Sequence, residues 1–366
     1  MNMKESGNEN HEENKNSELN AFSDTFPLDK STKINNNNSF KTTKEHLCKQ
    51  AYKFHSQKNT KDADKYYQLF INQGFKDYNV FFNYGIFLKD CNRLKDAEKY
   101  TRKSIELNPE FADSYYNLGC ILLETGKLIE AQIEFKKAIK INPAFLNAYF
   151  NTGVISIKLG NLREAKIAFE KAIEINHSLA KAHLNLGIVL LNLGQLEEAE
   201  FSVRKTIELK PDFALAHNML GSILISLGKV NQAQISTQEA VQLNPNLADA
   251  HLNLGEIYMI LGRTQLAFEA YLKAIELDKN FVHNYALITQ FFTYSDLSVL
   301  EDSKLRSILY TLLERNDIPH KDLFTVFQHC YKNEFINLND EFGRHSINSV
   351  LFKKIINDRT IILAMK

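Results

Sequence analysis

Five asparagine side chains recur at a constant spacing of 34 residues, and their amides are suited to holding a polypeptide. Residues 44–281 contain 20 asparagines, so a column of seven positions would hold about 0.6 by chance. Asparagine inside a helix lowers the stability of the helix by about half a kcal/mol relative to alanine, so helix propensity does not explain this recurrence. A carboxamide donates and accepts hydrogen bonds, and can grip a peptide backbone or simply cap and hydrate a surface. The column, interrupted by Met219, consists of Asn83, Asn117, Asn151, Asn185 and Asn253.

Three histidines repeat with the same period and raise the question of a metal site. His183, His217 and His251 occupy one position in three successive units. Equivalent positions of stacked helices lie roughly 10 Å apart, whereas a zinc–nitrogen bond measures ~2.1 Å. One ion therefore cannot bridge two of these rings. The pattern predicts packing residues and no bound metal.

Catalytic and cofactor-binding motifs do not occur in the sequence. It contains no G-x-x-x-x-G-K-[ST], G-x-G-x-x-G, G-x-S-x-G or H-E-x-x-H pattern and no EF-hand loop. Its glycines are explained by turns and by helix packing. We therefore predict that the chain is not an enzyme and uses no cofactor.

Charge and composition exclude several other classes of function. The 366 residues carry 44 basic and 44 acidic side chains, which removes the electrostatic basis for general binding to nucleic acids or anionic membranes. No apolar run reaches the 18 residues of a membrane span, and the polar N-terminus lacks the apolar core of a signal peptide. Four widely spaced cysteines without a C-x-x-C pair are typical of a reducing compartment. These features predict a cytoplasmic protein.

The elements that position the asparagines follow from the same 34-residue period. Apolar residues recur at helical spacing within each unit and are interrupted once, as in 112–145, where we expect helices from about Asp113 to Glu124 and from about Ile129 to Ile141. Gly119 and Ala131 lack bulk, so the two helices can cross closely. A period of this length indicates a stacked repeat. The units are 44–77, 78–111, 112–145, 146–179, 180–213, 214–247 and 248–281.

The unit pattern resembles the tetratricopeptide repeat. The motif Tyr115-x-x-Leu118-Gly119-x-x-Leu122 is followed by Ala131, Phe135, Ala138 and Pro143, and its columns stay in phase over six units. The first unit departs from it, with Ala51 in the glycine column. The resemblance implies an all-α, right-handed superhelical solenoid of tandem helix-turn-helix repeats, with a concave groove formed by the first helices.

In the register of that family, the asparagine column lies in the concave groove. It is similar to the asparagine ladder in the repeats of protein O-GlcNAc transferase, which holds extended polypeptide. One position earlier, Phe82, Tyr116 and Phe150 offer apolar surface to a ligand, although part of such a stripe belongs to the core. The family's other binding mode, a two-carboxylate clamp on a chaperone C-terminus, needs lysine where Phe82 and Tyr116 stand, so we exclude it.

Two functions are consistent with these features. The first is a scaffold or adaptor that binds an extended protein segment. The second is the substrate-targeting half of a transferase (O-GlcNAc-transferase-like, methyltransferase or sulfotransferase) whose catalytic module is on a separate chain or absent. The second rests on the runs 51–57 and 312–315, which resemble tetratricopeptide proteins of marine cyanobacteria.

The two ends of the chain are predicted separately. Residues 1–43 hold ten asparagines and few large apolar residues, so we expect a disordered leader. Residues 282–366 are predicted to form a capping helix and a helical extension, with helices at about 300–315, 320–335 and 347–356. The apolar end 361–366 suggests self-association through these last helices.

Overall fold

The computed structural model describes residues 43–279, 282–313, 315 and 323–330, and every regular element in these residues is helical. The predicted all-α array of tandem helical hairpins is thereby confirmed. Helices of 13 and 14 residues alternate from the second hairpin to the seventh, each pair within one 34-residue unit. The helices are α1 Lys44–Ser56, α2 Thr60–Asn72, α3 Tyr78–Asp90, α4 Leu94–Leu107, α5 Ala112–Glu124, α6 Leu128–Ile141, α7 Leu146–Lys158, α8 Leu162–Ile175, α9 Ala180–Asn192, α10 Leu196–Leu209, α11 Ala214–Ser226, α12 Val230–Leu243, α13 Ala248–Ile260, α14 Thr264–Leu277, α15 Val282–Tyr294, α16 Asp302–Leu313 and α17 Phe324–Cys330.

The turn inside each hairpin requires a left-handed backbone conformation. Gly126 adopts φ +76°, and the N–H of the next residue, Lys127, donates a hydrogen bond to the carbonyl of Leu122 at 2.9 Å. Glycine adopts this conformation without a steric penalty. The first two units place Lys58 and Asn92 at the same point, with φ of 55° and 57°. The column is therefore defined by backbone geometry, and glycine is its least strained occupant.

The other glycine column allows the two helices of a hairpin to approach closely. A methyl group on Gly119 would lie 2.6 Å from the ring of Phe135, and one on Gly153 would lie 2.7 Å from the ring of Phe169. Both rings are fully buried. In these two hairpins an aromatic ring of the second helix occupies the volume that glycine leaves open, whereas Val203 does so opposite Gly187. The close crossing predicted from Gly119 agrees with this packing.

The stack has an inside and an outside. Neighbouring first helices contact each other along most of the array, while neighbouring second helices, within the described residues, contact each other less. The first helices therefore lie on the inside of the curve. We call the face formed by α3, α5, α7, α9, α11 and α13 the inner surface. The face formed by the second helices α4, α6, α8, α10, α12 and α14 is the outer surface.

The C-terminal end of the array is covered by further helices. Phe268 of the last hairpin stacks on Phe291 of α15 at 5.8 Å, and buried Leu305 and Leu309 of α16 and Phe327 of α17 extend the same core. Helices α16 and α17 correspond to the helices expected near 300–315 and 320–335. Residues 1–42, the helix expected at 347–356 and the apolar end 361–366 lie outside the described residues. No described helix has the length and apolar character needed to cross a bilayer.

Replacing Gly153 with leucine is expected to lower the free energy of unfolding by about 3 kcal/mol, because the new side chain overlaps the buried ring of Phe169. Replacing Gly160 with alanine serves as the matched control. That site is open space with φ +75°, so only backbone strain of about 1 kcal/mol is expected. The urea unfolding midpoints of the two variants measure these changes in stability. Equal midpoints for the two variants would contradict the packing role of the first position.

Candidate functional site

The asparagine column lies on the first helices, and three of its amides bond to the preceding hairpin. Asn117 Nδ2 donates to Thr101 Oγ1 at 3.0 Å, and both residues are buried. Asn151 Nδ2 donates to the Tyr116 hydroxyl at 3.2 Å. Farther along, Asn253 Nδ2 contacts Asn218 Oδ1 at 2.8 Å and Ser222 Oγ at 2.7 Å. These amides therefore connect successive repeats, a role that the sequence analysis did not assign to them.

The two remaining members bond to their own helix, and one of them, Asn83, reaches the preceding hairpin as well. Asn83 Nδ2 donates to the carbonyl of Asn79 at 2.8 Å, and its amide is also a hydrogen-bond partner of the Tyr52 phenol. Asn185 Nδ2 donates to the carbonyl of Lys181 at 2.9 Å. A backbone carbonyl four residues earlier already accepts a helix hydrogen bond, so this second bond orients the amide and adds little stability.

The amide oxygens have a different environment from the amide nitrogens. Within the described part of the chain, no protein donor reaches Oδ1 of Asn117, Asn151, Asn185 or Asn253. None of these oxygens is among the buried polar atoms that lack a partner, so each keeps some contact with solvent, although Asn117 as a residue is only 5% exposed. The column thus carries a row of acceptors on successive first helices that no described donor uses. The predicted contact with a ligand remains a prediction.

The predicted aromatic positions beside the column are half-buried rather than free. Phe82 packs edge-to-face on Phe111 at 5.1 Å. In the next unit the ring of Tyr116 lies 4.9 Å from that of Phe145, which occupies the position of Phe111. The ring of Phe150 lies 5.7 Å from that of Phe169. Part of each ring therefore belongs to the hairpin core, and the remaining edge borders the asparagine column.

Charge on the inner surface is sparse and varies along the array. Asp113, one turn before Asn117, is half-buried, and this burial raises the pKa of its carboxyl group. Lys158 and Lys181 are exposed on α7 and α9, in the middle of the array. Ile86 and Val154, a turn after the column, are partly buried. The inner surface therefore offers acceptors and apolar edges with few charges.

The three repeating histidines each form a hydrogen bond between a first helix and the loop before it. Nε2 of His183 donates to the carbonyl of His177 at 3.0 Å, and Nε2 of His217 donates to the carbonyl of Pro211 at 2.8 Å. His251 makes the same bond to Pro245. No group of metal-ligating side chains occurs among the residues that the structure describes. The sequence signal of this bond is the constant six-residue separation between each histidine and the residue whose carbonyl accepts it.

Comparison with known families relates the array to one repeat class. Models described as the tetratricopeptide repeat or TPR repeat match residues 78–111, 100–133, 146–178, 168–201, 221–262 and 248–281. These matches lie in the same six hairpins that carry the asparagine column and its interruption. No curated protein matches the chain.

Solved structures support the same architecture. The C-terminal part of a TPR repeat-containing protein from Cytophaga hutchinsonii matches with a TM-score of 0.55 at 16% identity, covering 65% of this chain and 98% of that one. The structure described as the functional characterization of Pseudomonas aeruginosa pilF matches with a TM-score of 0.50 at 16% identity, covering 58% and 97%. At these identities the two likenesses show the fold alone. YrrB, described as a TPR protein with an unusual peptide-binding site, is 26% identical over 51% of this chain and 96% of its own, with a TM-score of 0.45.

The two kinds of asparagine are expected to differ in their effect on stability. Replacing Asn117 with alanine leaves the buried Thr101 hydroxyl without its partner and is expected to cost about 1–3 kcal/mol. Replacing Asn185 with alanine removes only a bond within its own helix and is expected to change stability by no more than about 0.5 kcal/mol. Chemical denaturation of both variants measures the difference. A cost at Asn185 equal to that at Asn117 would show that the amides are used alike.

Proposed function

Because the chain is a tetratricopeptide repeat protein, we propose that it is a scaffold or adaptor that binds an extended polypeptide segment on its inner surface. The observation that carries the proposal is the row of amide oxygens on successive first helices that no described donor reaches. These oxygens accept backbone N–H groups, which every peptide bond except that before proline supplies. Recognition of this kind depends on the ligand being extended and depends little on its side chains.

The spacing of the column favours a ligand with a period of three residues. Equivalent positions on stacked helices lie roughly 10 Å apart. A polyproline II chain rises about 3.1 Å per residue with three residues per turn, so its N–H groups face the same side every ~9.3 Å. Each repeat would then accept one N–H from each turn of the ligand. A helical ligand cannot use this row, because its own backbone N–H groups are already bonded.

The protein holds these acceptors in place before a ligand arrives. Each amide nitrogen that bonds to the preceding hairpin or to its own helix fixes the direction of the attached oxygen. Binding therefore costs little side-chain entropy at the column. The exposed edges of Phe82, Tyr116 and Phe150 would contact apolar side chains of the ligand. These contacts would provide the limited selectivity for particular ligand sequences.

The remaining parts of the proposal rest on the sequence. We propose that the chain is not itself an enzyme and works in the cytoplasm. Repeats of this class act in general as non-catalytic scaffolds, and the sequence carries no catalytic motif. The alternative, a substrate-targeting half whose transferase module lies on a separate chain or is absent, stays a prediction, as does self-association through the C-terminal helices.

Replacing Asn185 with alanine is expected to reduce capture of polypeptides by the full chain about fivefold, because one backbone acceptor of the row is lost. The nitrogen of this amide bonds only within its own helix, so the thermal unfolding midpoint is expected to move by no more than about 2 °C. The measurement is affinity capture from a proteome digested under mild conditions, with the bound segments quantified by mass spectrometry.

The matched control replaces Asn72 and Asn231, two exposed asparagines on second helices, with alanine. It is expected to capture the same segments as the unmodified chain. Unchanged capture of the same segments by the Asn185→Ala variant would overturn the proposed use of the column. Capture of folded proteins alone, with no extended segments, would overturn the proposed class of ligand.

A further inference from the structure

The outer surface carries a row of large apolar side chains that no part of the described chain covers. They occupy the same position in four successive second helices, one residue in each of α6, α8, α10 and α12. Their exposed fractions are 47% for Ile133, 60% for Ile167, 74% for Phe201 and 70% for Ile235. Single exposed apolar residues are ordinary, but an aligned series is typical of an interaction surface. We call these four residues the outer apolar row.

The outer apolar row is separate from the inner surface and from the hairpin core. On α10, the buried residues Ala199, Val203 and Thr206 define the face that packs against the first helices. Phe201 lies between the first two in sequence and projects from the other side of the helix. Because neighbouring units are spaced on the order of 10 Å apart, the row extends about 30 Å. That length is comparable to one side of a standard protein interface.

The units that flank the outer apolar row place opposite charges at the same position. Lys99 of α4 precedes Ile133, and Glu269 of α14 follows Ile235, each by one 34-residue step. Both charged side chains are exposed. Along the array, the position therefore reads basic, four apolar residues, acidic. If a second copy of the array runs in the opposite direction, its acidic end therefore faces the basic end of the first, and apolar residues face apolar residues.

We propose that the outer apolar row binds a second copy of this chain, aligned antiparallel about a two-fold axis between the units of Ile167 and Phe201. In this arrangement Ile167 of each protomer faces Phe201 of its partner, and Ile133 faces Ile235. Lys99 of each protomer then faces Glu269 of the other. A two-fold interface uses the same patch on both subunits, so each of these contacts occurs twice.

Two observations favour a second copy over a different partner. A second array has apolar side chains at the same spacing over the same number of units, so each of the four positions has an apolar counterpart. The charges at the two ends also match in sign only when the copies run in opposite directions. Beside the row, ion pairs between neighbouring units, Lys136 with Glu164 at 2.5 Å and Lys166 with Glu198 at 2.9 Å, provide the polar rim that such interfaces have.

Replacing Phe201 with aspartate tests the interface in the full chain. The unmodified protein is expected to sediment as a dimer at micromolar concentration, and the variant is expected to dissociate at least 100-fold more readily, because two carboxylates are placed against Ile167. Phe201 is mostly exposed, so the circular dichroism spectrum and unfolding midpoint are expected to be retained. The matched control is Val299→Asp, which changes an exposed apolar residue outside the row and is expected to leave the dimer intact.

Charge reversal tests the antiparallel alignment. Lys99→Glu and Glu269→Lys are each expected to weaken the dimer by about threefold or more, since like charges then face each other at both ends. The double variant Lys99→Glu/Glu269→Lys restores opposite charges only in the antiparallel arrangement and is expected to recover the original dissociation constant. A monomer at all concentrations, a dimer insensitive to Phe201→Asp, or a double variant as weak as the single ones would overturn the proposal.

Discussion

The structure depends on the close crossing of two helices within each hairpin. Glycine in the first helix leaves a volume that a side chain of the second helix fills, as Phe135 does opposite Gly119 and Val203 does opposite Gly187. The hairpin so formed still exposes one apolar face, which only the next hairpin can cover. Stability is therefore a sum of terms between neighbours, and the terminal helices α15 to α17 are needed to cover the last exposed core around Phe268. Both proposed binding surfaces follow from this stacking, because it repeats each exposed position at a constant interval.

The proposed function gives the asparagine column a structural and a binding role in different atoms of one group. The amide nitrogens of Asn117, Asn151 and Asn253 connect hairpins, whereas no described donor reaches their oxygens. A ligand that meets these oxygens therefore meets groups whose orientation the protein has already set. The same arrangement explains why a set of mid-helix asparagines persists along the array despite its cost in helix propensity. The stability of the stack and the geometry of the inner surface are coupled through these side chains.

The two proposed binding surfaces differ in polarity. The inner surface presents acceptors, a few charges and the edges of aromatic rings, which suits an extended chain. The outer apolar row presents large aliphatic and aromatic side chains that end in opposite charges, which suits a rigid partner of the same period. Because the two surfaces lie on different helices, a dimer formed through the outer row would leave both inner surfaces open to ligands.

Sequence alone determined the period, the helical hairpins and the turn positions, because these depend on local properties. Helical spacing of apolar residues and a residue that tolerates positive φ at Gly126 are set within one unit. It also identified the asparagine column as unusual. Only the tertiary structure decided which atoms of that column are used, because the partners Thr101, Tyr116 and Asn218 belong to neighbouring hairpins. It likewise decided that Phe201 is exposed while Val203 is buried. The sequence records that both are apolar, but the face of a helix that becomes buried is set by the crossing of the helices packed against it.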